Sequence, residues 1–563
     1  MKGILKLSDN NSGENKIVRW KISGGELFKS RRFSSAEALF RTGQKKRILV
    51  IGSGIGGMAS ASLFSEIGHD VTVLEMNKDF IGGHGRSRII GGIRFSMGPQ
   101  YVWEFGDGET GDNFMKFINI KDSNPFHLMA EDGFERIFIG CRSDNLDSYF
   151  INFKVPLGLN NFKQQIISLF PEEKEKLSLL FDDMISVYKA FKIFFNEHKD
   201  RERRLLTAAK FFLTGDAPVG VRIKLGQTLF MSLREWFDLY RISSFARRII
   251  YGHGGIFAES ESEMSALAFI IGTGNYHKGA RFPLNGFHHF FNSIKEVIKK
   301  NGGSVETGKR VISLYTENNQ IKSAKCDDGS EYICDYIFSD ISPRLTYQLF
   351  GNDFCKFNYS PSHSIPVVCI GVDRGLDSIS ELKGRNYWWQ DGNEINYENP
   401  DITAPPRMLY IGSPTANGNS GLESYDKDGI VVFCPGNFNQ EKEIYSRGED
   451  AVEKFKKNLI DQVLTILDQN VFPGLKSRLL FAEMVSSLDI EMETGGEMGN
   501  AYGRRLNVAE IMKGCIEEEK CPENLFNVSA AKNIPGIAGG IYTATRLLEE
   551  LTGIKVGKGK IIL

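Results

Sequence analysis

The sequence predicts a mixed α/β protein of two lobes, one built on a parallel β-α-β unit and one on antiparallel strands with helices. Three observations lead there. A short apolar strand, a glycine-rich turn, a helical stretch and a second strand follow one another between Lys46 and Glu75. A second stretch of mixed α/β character begins at Arg281. Between and after these lie a long helical region and a β-rich region over 365–440.

The first strand is KKRILVIG, and VTVLE, from Val71 to Glu75, is the second. Between them Met58, Ala61, Leu63, Phe64 and Ile67 recur at helical spacing, which predicts a helix over Met58 to Gly68. Strand, turn, helix and strand form one β-α-β unit. Phe170-Pro171-Glu172-Glu173 is a helix start, with Pro in the first turn and acids beside it. Leu177, Leu180, Phe181, Met184, Tyr188 and Phe191 then share one face. A second helix is expected from Arg203 to Leu213, rich in basic and aromatic residues. Beyond Arg281 the pattern predicts a helix over Phe287–Lys300, then strands over Ser304–Thr316 and Ile321–Asp327. IPVVCIGV, RMLYIG and GIVVFC read as further strands.

Length and composition bound the possibilities. At 563 residues the chain exceeds one ordinary core. It is 41% hydrophobic and 25% charged with a net charge of −1, so no overall field favours nucleic acid. Its 41 Phe residues suit either a large core or an aromatic-lined tunnel for an apolar substrate. Eight scattered cysteines form no C-x-x-C pair, which argues against a metal site and for a reducing, cytosol-like compartment. Residues 1–45 read as a basic N-terminal extension, in which Phe28–Phe40 suits an interfacial anchor, a targeting peptide or, more commonly, a flexible tail. Peripheral membrane contact is left open.

The motif with the most chemistry is Gly52-Ser53-Gly54-Ile55-Gly56-Gly57, which fits G-x-G-x-x-G at Gly52, Gly54 and Gly57. Such a turn is uninformative alone, but this one leaves a strand, opens a helix and is followed by Glu75 at the end of a second strand. Gly52 permits the tight turn, Gly54 lets backbone approach a pyrophosphate, and Gly57 lets helix and strand pack closely. The helix start offers N–H groups to phosphates, and Glu75 can accept from ribose hydroxyls. A dinucleotide cofactor follows from this, without a choice between NAD(P) and FAD.

The next segments resemble a known family. Gly82-Gly83, in MNKDFIGGHGRS, and the phrase GIRFSMGPQY resemble the second glycine motif and the flavin-approaching stretch of the amine oxidase-like flavoproteins. VPLGLNNFKQQIISLFPEE and ARFPLNGFHHFFNSIKEVIKKNGGSVETGKRVISL are similar to the branch holding phytoene desaturases, carotenoid isomerases and retinol saturases. Pro535-Gly536-Ile537-Ala538-Gly539-Gly540 resembles that branch's closing motif. Phe80 and His84 stand where the usual R-x-G-G-R motif has arginines, with Arg86 a substitute, and arginine-poor glycine motifs are typical of the isomerase and saturase side. Asp340-Ile341-Ser342-Pro343 stands where Asn-Ala-x-Pro is usual, and Asn527-Val528-Ser529-Ala530 lacks the common ribityl-binding Asp.

The resemblance implies an α/β fold with a Rossmann-type FAD-binding lobe and a discontinuous substrate lobe of antiparallel sheet plus helices. The expected partition is 46–150, 280–345 and 500–563 for the FAD lobe, and 151–279 with 346–499 for the substrate lobe. The implied cofactor contacts are Gly52, Gly54, Ile55, Gly56, Gly57, Glu75, Met76, Gly82, Gly83, His84 and Arg86. Further along they are Gly98, Pro99, Gln100, Val311, Ser529, Gly536, Ile537 and Ala538. The implied reaction is desaturation, saturation or cis–trans isomerisation of a hydrophobic unsaturated substrate by hydride exchange with flavin N5. The electron acceptor is left open between O2 and a quinone. An amine oxidase and a non-catalytic prenyl carrier of the GDP-dissociation-inhibitor type are the alternatives; an aromatic pair flanking the ring would support the amine oxidase, and nothing in the sequence places the aromatic Tyr387, Trp388 and Trp389 there. No catalytic residue is assigned. Glu104, His253, His277 and Tyr502 are the polar residues to place first, with a structural role favoured for each histidine.

Overall fold

The computed structural model describes residues 44–120, 126–140, 150–197, 217–350, 359–418, 426–516, 521–532 and 534–557. Nearly all of the basic N-terminal extension and the helix expected over 203–213 lie outside them.

Five parallel strands form the first sheet: β1 (Arg47–Ile51), β2 (Asp70–Glu75), β3 (Ser304–Thr307), β4 (Tyr336–Ser339) and β5 (Leu525–Asn527), in the order β5-β4-β1-β2-β3. Alternation along β1 explains how the sheet is covered. Ile48 and Val50 face a layer of three helices: α1 (Ile55–Glu66), α2 (Phe287–Lys300) and α3 (Gly536–Thr552). Leu49 and Ile51 point the other way, onto a three-stranded sheet through Leu314, Ile321 and Ala324. Both faces are buried, which is why KKRILVIG and VTVLE read as apolar runs.

The strand expected over Ser304–Thr316 is broken in two. Gly308, at φ +71, donates its N–H to the Asn77 carbonyl, and Lys309 donates to that of Glu75. These bonds tie the break to the end of β2, and a new strand, Val311–Glu317, turns into the three-stranded sheet. Helix α1 begins three residues earlier than the apolar spacing indicates, because the glycines themselves form its first turn. α2 spans the residues expected.

The second sheet has seven strands, ordered Leu479–Val485, Val367–Asp373, Lys427–Phe433, Met408–Gly412, Asn386–Gln390, Glu135–Gly140 and Phe150–Val155. All pairs are antiparallel except Asn386–Gln390 with Glu135–Gly140. Strand Glu135–Gly140 falls inside the 46–150 segment expected for the first lobe, yet its hydrogen bonds place it in the second sheet. Lys174–Glu197, whose Leu177, Leu180, Phe181 and Met184 are buried, packs with Ala266–Gly279 on one face. Glu449–Asn470 covers the other.

Candidate active site

The glycine turn leaves β1 with Gly52 at φ +94, a conformation that side chains disfavour. Gly54 caps α1 without any side-chain hydrogen bond, so the helix start presents backbone N–H groups that lack intrahelical partners. The second glycine pair closes on this turn. Gly82 donates its N–H to the Ser53 carbonyl (3.1 Å), and a β-carbon at Gly83 would stand 3.3 Å from the Gly54 Cα. Two motifs nearly thirty residues apart in sequence thus make one wall.

Glu75 lies at the edge of that wall. Its Oε2 accepts from the Ser53 N–H (3.0 Å) and Oγ (2.5 Å), and its Oε1 accepts from the Asn77 N–H (2.8 Å). Three of its roughly four acceptor positions are therefore used by the protein itself. Beside it, Val311 opens the strand that follows the Gly308 break, and Met76 lies against the turn at Gly495. On the other side of β1, Asp340 follows β4, and its side chain reaches the start of α1 beside Gly54, Gly56 and Gly57. A β-carbon at Gly54 would meet its Oδ2 at 2.5 Å.

α3 begins at Gly536, and its buried Ile537, Ala538 and Gly540 pack on α1, with a Gly540 β-carbon 2.5 Å from Ile55 Cγ2 and 3.2 Å from the Gly56 N. Ser529 donates its Oγ–H to Asn527 Oδ1 (2.6 Å) in the turn after β5. Gly98 leaves no room for a β-carbon against the His84 carbonyl, and after Pro99 the Gln100 side chain donates back to the Ser96 and Gly98 carbonyls (3.0 and 3.1 Å). His84 Nε2 bonds the Asn500 carbonyl (2.7 Å), and burial pulls its imidazole down to about 4. His84 is therefore neutral and supplies no charge in place of an arginine.

Arg86 does not supply one freely either. Its buried guanidinium pairs with Glu493 (2.6 Å) and lies over the Phe80 ring, and burial lowers it to about 9. Arg86 is thereby tied to helix Ser487–Thr494, because a charge buried this deeply needs its counterion.

The first sheet's loops lead into a buried polar cluster under the second sheet. Tyr101, immediately after Gln100, donates its hydroxyl to Glu135 Oε1 (2.5 Å), and Trp388 Nε1 donates to the same oxygen (3.2 Å). Glu135 Oε2 and His253 Nδ1 lie 3.5 Å apart, both buried and without a hydrogen-bond partner. Burial, opposed by the two donors, pushes the Glu135 carboxyl up to about 7, and burial draws His253 down to about 4. Tyr276 packs on Tyr101 at 4.8 Å, and Tyr410, Tyr397 and Tyr502 belong to the same apolar cluster. Alternation on strand Asn386–Gln390 sends Trp388 into this cluster and Tyr387 and Trp389 to the opposite face.

The polar residues singled out in the sequence divide accordingly. Tyr502 is in the cluster, on a segment whose Gly503 abuts the turn after β5. His277 stacks on Phe162 at 5.0 Å, with burial and then His253 lowering it to about 3. Glu104, at φ +61, holds Lys192 at 2.6 Å and Lys278 at 3.6 Å; burial is outweighed by these lysines and its carboxyl stays below the ordinary range. Glu104 is an ion-pair anchor. Glu135 and Tyr101 were not singled out, although an acid inside the apolar strand ERIFIG is a signal of a buried carboxyl.

The residues fit a dinucleotide pyrophosphate. The helix start has no side-chain cap, the turn has no β-carbons in the way, and Asp340 Oδ2 is buried at its edge without a hydrogen-bond partner. The model of the NAD(P)-binding Rossmann-like domain matches residues 50–118. The chain is 22% identical over 534 residues to the 4,4'-diaponeurosporene oxygenase of Staphylococcus haemolyticus, covering 89% of this chain and 95% of that protein. It is also 22% identical to a 1-hydroxycarotenoid 3,4-desaturase of a Flavobacterium species, covering 82% and 89%. Among solved structures, an oxidoreductase from Methanosarcina mazei has TM-score 0.58 at 17% identity, covering 89% and 100%. A putrescine oxidase bound to putrescine has TM-score 0.57 at 13% identity, covering 90% and 99%.

The fold and the matched segment define a protein with an NAD(P)-binding Rossmann-like domain, whose sequence relatives and fold neighbours include oxidoreductases. Within that class its sequence relatives are carotenoid desaturases and oxygenases, and its fold is shared with amine oxidase-like flavoenzymes. No helix among the described residues is long and apolar enough to cross a membrane.

Proposed function

We propose that this protein is an FAD-dependent oxidoreductase that desaturates, saturates or isomerises a hydrophobic unsaturated substrate, a carotenoid, retinoid or related lipid. The observations that carry this reading are two: the double-glycine wall at Gly54 and Gly83, and a buried aromatic cluster that includes Tyr101, three residues after Gly98 in the chain.

The flavin, when bound, supplies a two-electron hydride acceptor or donor at N5. The chain's own residues do the rest. The Gly52–Gly57 turn and the start of α1 would hold the pyrophosphate, and the start of α3, packed on α1 at Ile55, would bring a second positive helix end near it. Tyr101, Tyr276, Trp388, Tyr410 and Tyr502 offer an apolar wall that orients a polyene and keeps water away. Glu135 holds a proton near neutral pH, in contact with Tyr101, whose own hydroxyl is kept from ionising by burial and by Glu135. These groups suit a substrate that carries no charge.

An apolar substrate is delivered most readily from a lipid surface. Val219 and Ile223, one turn apart on helix Val219–Thr228, and Phe230 beyond it are 63%, 57% and 65% exposed. We assign them to peripheral membrane contact, to be tested by sedimentation with phospholipid vesicles.

The testing experiment begins with the visible spectrum of the purified protein. Bands near ~450 and ~370 nm, with FAD and not FMN released on denaturation, are expected. Anaerobic addition of an acyclic polyene in vesicles should then bleach the ~450 nm band if the reaction runs as a desaturation. A colourless protein that takes up no added FAD would sink the proposal.

A further inference from the structure

Asp340 occupies the space that the glycine turn leaves open. Its backbone N–H donates to the Ile51 carbonyl (2.8 Å), which anchors it beside the end of β1. From there the carboxyl crosses to α1. One oxygen would meet a β-carbon at Gly54 at 2.5 Å, and the other would meet one at Gly56 at 2.7 Å. The side chain lies beside the first turn of α1, which has no side-chain cap of its own. Oδ2 is buried and has no hydrogen-bond partner among the described residues.

The chemistry of this position is asymmetric. An ionised carboxylate there would leave Oδ2 desolvated and would repel a pyrophosphate brought to the same helix start. A neutral carboxylic acid has an O–H on that oxygen, with nothing among the described residues to receive it. A phosphoryl oxygen at Gly54 is the acceptor that completes it.

We propose that Asp340 is a cofactor-contacting residue that binds the pyrophosphate as a neutral acid, donating from Oδ2, so that dinucleotide binding requires its proton. The inference rests on the cofactor reading above and adds to it a residue and a pH dependence.

Burial raises the Asp340 carboxyl well above the ordinary range; the Gly57 N–H opposes this, and the Glu75 charge reinforces it. The neighbours at the Asp340 carboxyl on the glycine turn are Gly54, Gly56 and Gly57, none of which titrates. Glu75, at the end of β2, is the titratable group among the described residues that acts on it. The sign follows from linkage. Binding that needs a proton is unaffected below the Asp340 value in the free protein and weakens above it, by about tenfold per pH unit.

The test uses the full chain freed of flavin, with FAD and separately ADP-ribose, whose pyrophosphate does not titrate near neutrality. Dissociation constants are measured from about pH 6.5 to about pH 9, with circular dichroism at each pH to show that the fold persists. Wild type should bind progressively more weakly with rising pH. Asp340→Asn should bind with flat affinity, because its amide donates and accepts at every pH. Asp340→Ala should bind weakly throughout. A pH-independent wild type, or an Asp340→Asn variant that follows the wild-type profile, overturns the inference while leaving the cofactor reading intact. Failure of folded wild type and Asp340→Asn to bind either ligand at any pH overturns the cofactor reading on which the inference rests.

Discussion

Gly83 packs on Gly54: a β-carbon on the former would stand 3.3 Å from the α-carbon of the latter. The relationship joins the turn that ends β1 to the turn that follows β2, and it leaves no depth for side chains between backbone and pyrophosphate. Gly54→Glu should therefore abolish flavin binding, since its side chain enters the space shared with Asp340 Oδ2 at 2.5 Å. The released-flavin spectrum measures this, with far-ultraviolet circular dichroism showing that most of the fold remains. Unchanged flavin content would mean that the cradle is misassigned.

Glu135→Gln should alter how stability responds to pH. The wild-type carboxyl, raised to about 7, favours the folded state fully below its unfolded value and loses that contribution as pH rises toward about 7. The amide keeps an acceptor for Tyr101 and cannot ionise. The variant should thus gain on wild type by on the order of 3 kcal/mol between about pH 4.5 and about pH 7.5, then hold that margin. Urea unfolding at a series of pH values reads the difference, and parallel curves for the two proteins would contradict it.

Glu493→Ala strands the buried Arg86 guanidinium, which is 2.6 Å from its carboxylate. The expected loss is about 3 kcal/mol of unfolding free energy. Arg86→Met keeps the volume and removes the charge, so a smaller loss is expected. Chemical denaturation of both single variants and the double variant separates pairing from packing. Equal and additive losses would show that the pair does not act as one unit.

Gly540→Val should destabilise the crossing of α3 over α1 by about 1–3 kcal/mol, because a β-carbon there comes 2.5 Å from Ile55 Cγ2. Flavin retention should fall with it, since the same contact positions the Gly56 N–H. Thermal melts with and without added FAD test both effects, and a variant as stable as wild type would show that the helices can separate without cost.

The parts of the fold that local chemistry dictates were legible in the sequence. Helix α2 spans the predicted Phe287–Lys300 because one apolar stripe repeats along it and Gly302-Gly303 ends it. β1, α1 and β2 follow from apolar runs punctuated by glycine. The strand break at Gly308 was not legible, because it is made by hydrogen bonds to Glu75 and Asn77 more than two hundred residues earlier. Glu135 escaped notice for the same reason. Nothing within ERIFIG shows that Tyr101, Trp388 and His253 converge on its one acid.

By itself, the sequence determined the class of cofactor site, since strand, glycine turn, helix and terminal acid form a local pattern with one physical purpose. It also determined that β1 and β2 are extended and that α1 and α2 are helical. Only the tertiary structure decided what the charged groups do. It turned Arg86 toward Glu493, bound Glu75 to Ser53, made Glu104 an anchor for two lysines and laid Asp340 against the start of α1. The reason is physical. Periodicity and turn chemistry act over a few residues, whereas the protonation and partners of a buried charge depend on whichever distant segments exclude water from it.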